Sequence, residues 1–182
     1  MGLRQKHLYL DKNCFFVTTV CHKHMNFIDL AQAYQLIENS LAFCSAKYNA
    51  SILGYVIMPN HVHLIIFFNS GNKLSDLMRD FKKFTATHIR IGIQTKGYRK
   101  ALDQMRLELK DRSFKTWKDR YDNLYIRDRK FLEQKLEYMH LNPLQQHWNL
   151  ASRPEDYLYS SARFYLLNQT PGIEVKHYLD YF

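Results

Sequence analysis

A chain of 182 residues, 46% hydrophobic and 15% aromatic, is long enough to bury its own core as one domain over residues 1–182, without staples. Its three cysteines, Cys14, Cys21 and Cys44, form no CxxC pair and no even set, which argues against a secreted disulfide scaffold and for a reducing cytoplasm. No apolar run approaches the roughly 20 residues of a membrane span, and the Met1–His7 stretch lacks a signal peptide's apolar centre. The formal charge of +9, from 26 Lys+Arg against 17 Asp+Glu, favours a polyanionic partner over a membrane. Nucleic acid is the commonest such partner, and an inert basic surface is the alternative.

Cys14–Cys21 is aromatic and β-branched, which predicts a first strand. Asp29 is placed to cap a helix over Leu30–Lys47, with Tyr34, Ile37, Leu41 and Phe43 near helical spacing. Ser51–Met58 and His61–Phe68 predict two strands, and Pro59-Asn60 between them predicts a tight hairpin turn. A second helix is expected over Leu74–Ile91. Leu74, Leu77, Met78, Phe81, Phe84 and His88 fall on its apolar face. Residues 92–116 form a basic stretch, with a short helix expected over Ala101–Lys110. A fourth strand is expected over Asn123–Ile126. Asp128 can cap a third long helix that Pro143 ends near Asn142, and a short C-terminal helix follows around Tyr159–Leu167. The order β-α-β-β-α-β-α predicts an α+β fold, a ferredoxin-like split βαβ antiparallel sheet with helices on one face plus a late helix.

The chemistry concentrates in His61-Val-His63. Residues two apart in a strand share a face, about 7 Å apart at the backbone, so both imidazoles can converge on one divalent ion while Val62, Leu64 and Ile66 point into a core. On the third helix, Tyr138 and Asn142 are four apart and share a face, with His140 projecting elsewhere. An amide oxygen there can complete a metal shell, and a phenol can attack a phosphate held by the ion. The bland reading of each is an exposed histidine pair and a core aromatic. Energetics separates a workable nucleophile from an idle one. A free phenol has a pKa near 10, so reaching phenolate at neutral pH costs about 4 kcal/mol. A metal acting as Lewis acid supplies a comparable several kcal/mol. A tyrosine at a two-histidine metal site is therefore a reasonable nucleophile, and a covalent link through it conserves the phosphodiester's energy.

Met58-Pro-Asn-His-Val-His-Leu64 resembles the HUH motif (His, bulky hydrophobic, His) of single-tyrosine transposases. Tyr138-Met-His-Leu-Asn-Pro143 resembles the tyrosine helix of the same family, in particular the REP-associated tyrosine transposases. Tyr125-Ile-Arg-Asp128, Arg153-Pro-Glu-Asp-Tyr157 and Tyr159-Ser-Ser161 are supporting echoes, and the likeness runs from about Phe15 to Tyr165. The resemblance implies a ferredoxin-like nuclease that binds Mg²⁺ or Mn²⁺ through His61, His63 and Asn142. It implies that Tyr138 cleaves single-stranded DNA near imperfect hairpins, forming a 5′-phosphotyrosine and leaving a 3′-hydroxyl for rejoining. It allows both monomers and a homodimer that places the tyrosine over its partner's metal.

Departures from that pattern are Tyr159, where tryptophan is usual, and Leu144-Gln-Gln-His147, where Val-Arg-Ala-Gly is typical. Residues 92–116 also exceed the usual link and are a DNA-binding elaboration or a variable surface insert. For DNA contact the sequence offers Arg79, Lys82 and Lys83, with Arg90, on the second helix. It offers Lys96, Arg99 and Lys100 beside Tyr98, and Arg127, Arg129 and Lys130 at the start of the tyrosine helix. His22 and His24 are read as surface. Two other readings remain: a metallonuclease that activates water at the same histidines, and a basic nucleic-acid-binding protein whose catalysis has lapsed.

Overall fold

The computed structural model describes residues 13–109 and 112–182; residues 1–12 and 110–111, read above as part of the N-terminus and of the basic stretch, lie outside them. Strands β1 (Cys14–Val20), β2 (Ala50–Ile57), β3 (His61–Phe68) and β6 (Asp122–Tyr125) form one antiparallel sheet in the order β2-β3-β1-β6. The β1–β2 crossover carries α1 (Phe27–Ala31) and α2 (Tyr34–Lys47), and the β3–β6 crossover carries α3 (Leu74–Thr95), α4 (Arg99–Met105) and a small hairpin of β4 (Arg106–Leu109) and β5 (Arg112–Phe114). Helices α5 (Arg129–Leu141) and α6 (Ala162–Leu167) follow. This is the split βαβ arrangement that the element order predicts. No described helix is long and apolar enough to cross a membrane.

The strand period of two sorts the sheet into two cores. Val17, Val62, Leu64 and Ile66 face α2 and α3, where they meet Ile37, Leu41, Leu77 and Phe81. The opposite face carries Phe16, Leu53, Val56 and Ile65, covered by Leu132, Leu136 and Met139 of α5. The histidine face is therefore roofed by the late helix rather than open. Gly54 makes the close approach possible, because a Cβ there would collide with the side chains of Met139 and Leu136. The outer edge of β2 is capped by the C-terminal segment, where Ile57 N donates to Tyr159 O and Ser161 N donates to Tyr55 O, both at 2.9 Å.

Several boundaries differ from the sequence expectation. The helix expected over Leu30–Lys47 is broken, because Gln32 takes a left-handed conformation (φ 53°, ψ 44°). Asp29 consequently lies inside α1 and accepts from the Tyr34 hydroxyl at 3.1 Å instead of capping α2. Phe43 is 67% exposed, and Cys44 takes the inward position expected of it. In α3 the buried row runs through Phe81, Thr85, Ile89 and Ile93, leaving Phe84 and His88 on the outside. Thr85 can sit inward because its hydroxyl donates to Phe81 O at 2.7 Å and accepts from Trp117 Nε1 at 3.0 Å. That helix continues past Ile91 through Gly92, which packs close to Ala31. The short helix stops at Met105, and Ala101 and Met105 are buried in the larger core.

Candidate active site

The turn Pro59-Asn60 sets the entry to β3. Pro59 O accepts from Ile28 N at 3.1 Å and Asn60 O from Cys21 N at 2.7 Å, so the turn is fastened to the end of β1 and to α1. The Asn60 side chain donates to His24 O at 2.9 Å, which directs its carbonyl oxygen to His61 Nδ1 at 2.6 Å. A carbonyl oxygen only accepts, so His61 carries its proton on Nδ1 and keeps a lone pair on Nε2. One step inward, His63 pairs across the sheet with Thr18, whose hydroxyl meets His63 Nδ1 at 2.8 Å. Asn142 Nδ2 approaches His63 Nε2 at 3.2 Å, so that nitrogen too is an acceptor. Both rings are thus oriented through Nδ1, as metal-ligating histidines usually are; His61 Nε2 has no partner among the described residues, and His63 Nε2 is met by the Asn142 amide nitrogen.

Helix α5 delivers the other two residues. Asp128 starts it, accepting from Phe131 N at 2.8 Å, and Asn142-Pro143-Leu144 closes it as a 3-10 turn. The Tyr138 ring lies 5.4 Å from that of His63, centroid to centroid, and meets it edge-on at 70°. The His61 and His63 rings are 4.7 Å apart, and Phe16 stacks on His63 at 5.3 Å. His63 and Asn142 are buried, His61 is half-buried, and Tyr138 is 46% exposed. Asn142 Oδ1 is buried with no hydrogen-bond partner among the described residues. The four residues singled out from the sequence therefore converge within one chain.

His140 does project away, as the spacing predicts. It is buried, and its Nε2 lies 2.8 Å from Ser161 Oγ, which accepts in turn from Tyr55 N at 3.0 Å. This ties the tyrosine helix to β2. Burial pushes the His140 pKa down to about 4. Burial, aided by the charges of His24 and His147, pushes His61 down to about 4. Burial, aided by His61 and Lys135, pushes His63 down to about 3. All three are neutral at pH 7, the form in which imidazole binds metal.

Acid sensitivity follows. The folded pKa values lie below the ordinary value of 6.5, so between about pH 6.5 and about pH 3 the unfolded chain holds more protons. Stability is fully present above that window and is lost as the pH falls through it, by a few kcal/mol for each buried ring. Urea unfolding at a series of pH values in that window is expected to show the midpoint dropping.

The cationic residues are dispersed. Arg79, Lys82 and Lys83 line a groove of about 640 Å³ with Lys115, Lys118 and Tyr121, between α3 and residues 114–121. Lys82 donates there to Lys118 O and Asp119 O, and Arg79 is paired with Asp76 and Asp80. Lys118 Nζ reaches His24 Nε2 at 2.7 Å, which joins the groove's edge to the Asn60–His61 turn. His24 is on the surface, as predicted, but at the rim of the site. Arg99 and Lys100 border a second depression with Tyr98, and Lys96 is exposed nearby. Arg127 pairs with Asp128 and Arg129 with Glu133, while Lys130 is exposed.

Thr18, Asn60, Trp148 and Lys135 also belong to this region and were not singled out from the sequence. Trp148 lies 5.9 Å from His61, and Lys135 Nζ lies 5.7 Å from the Tyr138 ring centroid. Lys135 alone had a local signal, since it stands three residues before Tyr138 on one helix face.

The model of the family described as "Transposase IS200 like" matches residues 13–140, which include His61, His63 and Tyr138. The chain belongs to the IS200-like transposase family. Among solved structures, a REP-associated tyrosine transposase bound to a REP hairpin superposes with a TM-score of 0.64 at 19% identity, over 92% of this chain and 88% of that one. That likeness shows a shared transposase fold. A Deinococcus radiodurans R1 protein provisionally named a transposase matches at a TM-score of 0.43 and 14% identity, over 70% of this chain and 91% of that one. No curated protein sequence matches the chain.

Proposed function

We propose that this IS200-like transposase cuts and rejoins single-stranded hairpin DNA through a covalent bond to Tyr138. The reading rests on the 5.4 Å approach of the Tyr138 ring to His63 of the same chain. A hairpin is the favoured substrate because the similar REP-associated transposase is bound to one, and because the surface is basic.

The residues fit a divalent ion, Mg²⁺ or Mn²⁺. His61 Nε2 has no partner among the described residues, and Asn142 Oδ1 is a buried acceptor that lacks a donor; the Asn142 amide meets His63 Nε2 through its nitrogen, and turning the amide over would bring the oxygen to that side beside the two imidazoles. Among the described residues no group of three or more His, Cys, Asp or Glu gathers to hold a metal, so the amide oxygen is the natural third ligand beside His61 and His63. Such an ion would act as a Lewis acid on the scissile phosphate. Tyr138 Oη loses its proton to solvent and bonds to phosphorus as the bond from phosphorus to the 3′ oxygen breaks. That oxygen takes up a proton and leaves as a 3′-hydroxyl. Reversal with another 3′-hydroxyl rejoins the strand with no net loss of phosphodiester bonds. Tyr138 is exposed at the helix surface, which leaves one side of its ring open to a strand.

Incubation of the protein with labelled single-stranded hairpin DNA and Mn²⁺, followed by a denaturing gel, tests the reading. A slow-migrating protein–DNA species is expected, and chelation removes it. Cleavage without that species would favour activated water, and binding without cleavage would favour the lapsed protein.

A further inference from the structure

Lys135 stands one turn before Tyr138 on α5, and its ammonium is cupped by aromatic rings. It lies 5.2 Å from the Phe131 ring centroid, 5.3 Å from Phe16 and 5.7 Å from Tyr138. Phe16 also stacks on His63, so the lysine and the inner histidine share one aromatic wall. Among the described residues no carboxylate pairs with Lys135, whereas Arg127, just before the helix, and Arg129, at its start, turn to Asp128 and Glu133. A half-buried cation beside the phenol, held by ring faces rather than by an anion, is available to a phosphate.

We propose that Lys135 is a catalytic residue that binds a non-bridging oxygen of the scissile phosphate and offsets the charge that builds up during strand transfer. This role rests on the Tyr138 reading above. The phosphate must lie against the phenol oxygen to be attacked. The flexible four-carbon stem of Lys135 lets the ammonium reach it from the same helix without backbone movement. Attack adds negative charge at phosphorus: the bond from Tyr138 Oη forms while the bond to the 3′ oxygen breaks. The phenol proton goes to solvent and the departing oxygen is protonated from water. Lys135 keeps its proton throughout and acts only by charge and hydrogen bonding. The aromatic cup holds it near the reacting atoms before DNA arrives, so little reorganisation is needed at the moment of reaction.

The test is the single-turnover rate of adduct formation on hairpin DNA with Mn²⁺ at saturating protein. Lys135→Met lowers the rate about 100-fold, the scale of losing one preorganised charge-stabilising donor. Hairpin Kd changes by less than about threefold, because one phosphate contact among many is removed. Lys135→Arg recovers most of the rate. On DNA with a methylphosphonate at the scissile position, wild type and Lys135→Met converge for the diastereomer whose methyl group replaces the non-bridging oxygen that the lysine binds, because its partner is gone. A wild-type rate for Lys135→Met would overturn the proposal, as would an equal deficit on both diastereomers or a deficit explained by lost hairpin affinity. A wild-type protein that forms no adduct would remove the transesterification reading, and the lysine's role with it.

Discussion

Tyr138→Phe is expected to abolish the proposed covalent protein–DNA species while leaving the fold and hairpin binding in place. The ring itself remains, so its edge contacts with His63 at 5.4 Å and Phe16 at 6.1 Å persist. The residue is 46% exposed, and no protein hydrogen bond restrains its hydroxyl in the described structure, so its removal leaves no buried orphan. The stability change stays within about 0.5 kcal/mol, as for ordinary surface substitutions. Loss of the adduct is complete because no other atom at that place can form the ester. Denaturing gels report the chemistry, and thermal melting with a hairpin-binding titration reports the rest. Strand cleavage that continues in Tyr138→Phe would mean that water is the nucleophile.

On the proposed reading, His63→Ala and His61→Ala are each expected to lower adduct formation by about 1,000-fold or more, because an ion that would supply several kcal/mol to the transition state would lose a ligand. The two differ in stability. His63 is 4% exposed and wedged between Phe16 and Tyr138, so its truncation also leaves a cavity and unpairs Thr18 and Asn142. His61 is half-buried and held mainly through Asn60, so His61→Ala is the milder variant structurally and the cleaner chemical test. A lapsed DNA-binding protein would show no change in hairpin affinity and no cleavage to lose. Mixing His61→Ala with Tyr138→Phe distinguishes assembly modes. A site completed within one chain leaves the mixture inactive, and a site shared between two copies restores activity.

The histidine strand was legible because its signals are local. The Pro59-Asn60 turn fixes its start, alternation fixes its faces, and β3 spans His61–Phe68 as the pattern predicts. The Asp128 cap and the Pro143 stop likewise frame α5, and helical spacing alone puts Tyr138 and Asn142 on one face. Thr18 and Asn60 were invisible for a different reason. Their roles arise from cross-strand register and from the hydrogen bond to His24, which no stretch of sequence encodes by itself. The break at Gln32 was missed because the apolar spacing runs on through it. The inward turn of Thr85 was missed because a hydroxyl that bonds its own helix and Trp117 behaves as a core side chain. The basic residues were legible as charges, but not as partners. Arg79, Arg127 and Arg129 are each engaged with a neighbouring carboxylate, whereas Lys135 stands over the Tyr138 ring.

Proteolysis of the covalent adduct, followed by mass spectrometry of the DNA-linked peptide, tests most directly whether a phenol on the late helix works with two imidazoles on the sheet. The expected result is one modified peptide, with the nucleotide esterified through its 5′ phosphate to Tyr138. A nucleotide on any other tyrosine, or a linkage through the 3′ phosphate, would contradict the account.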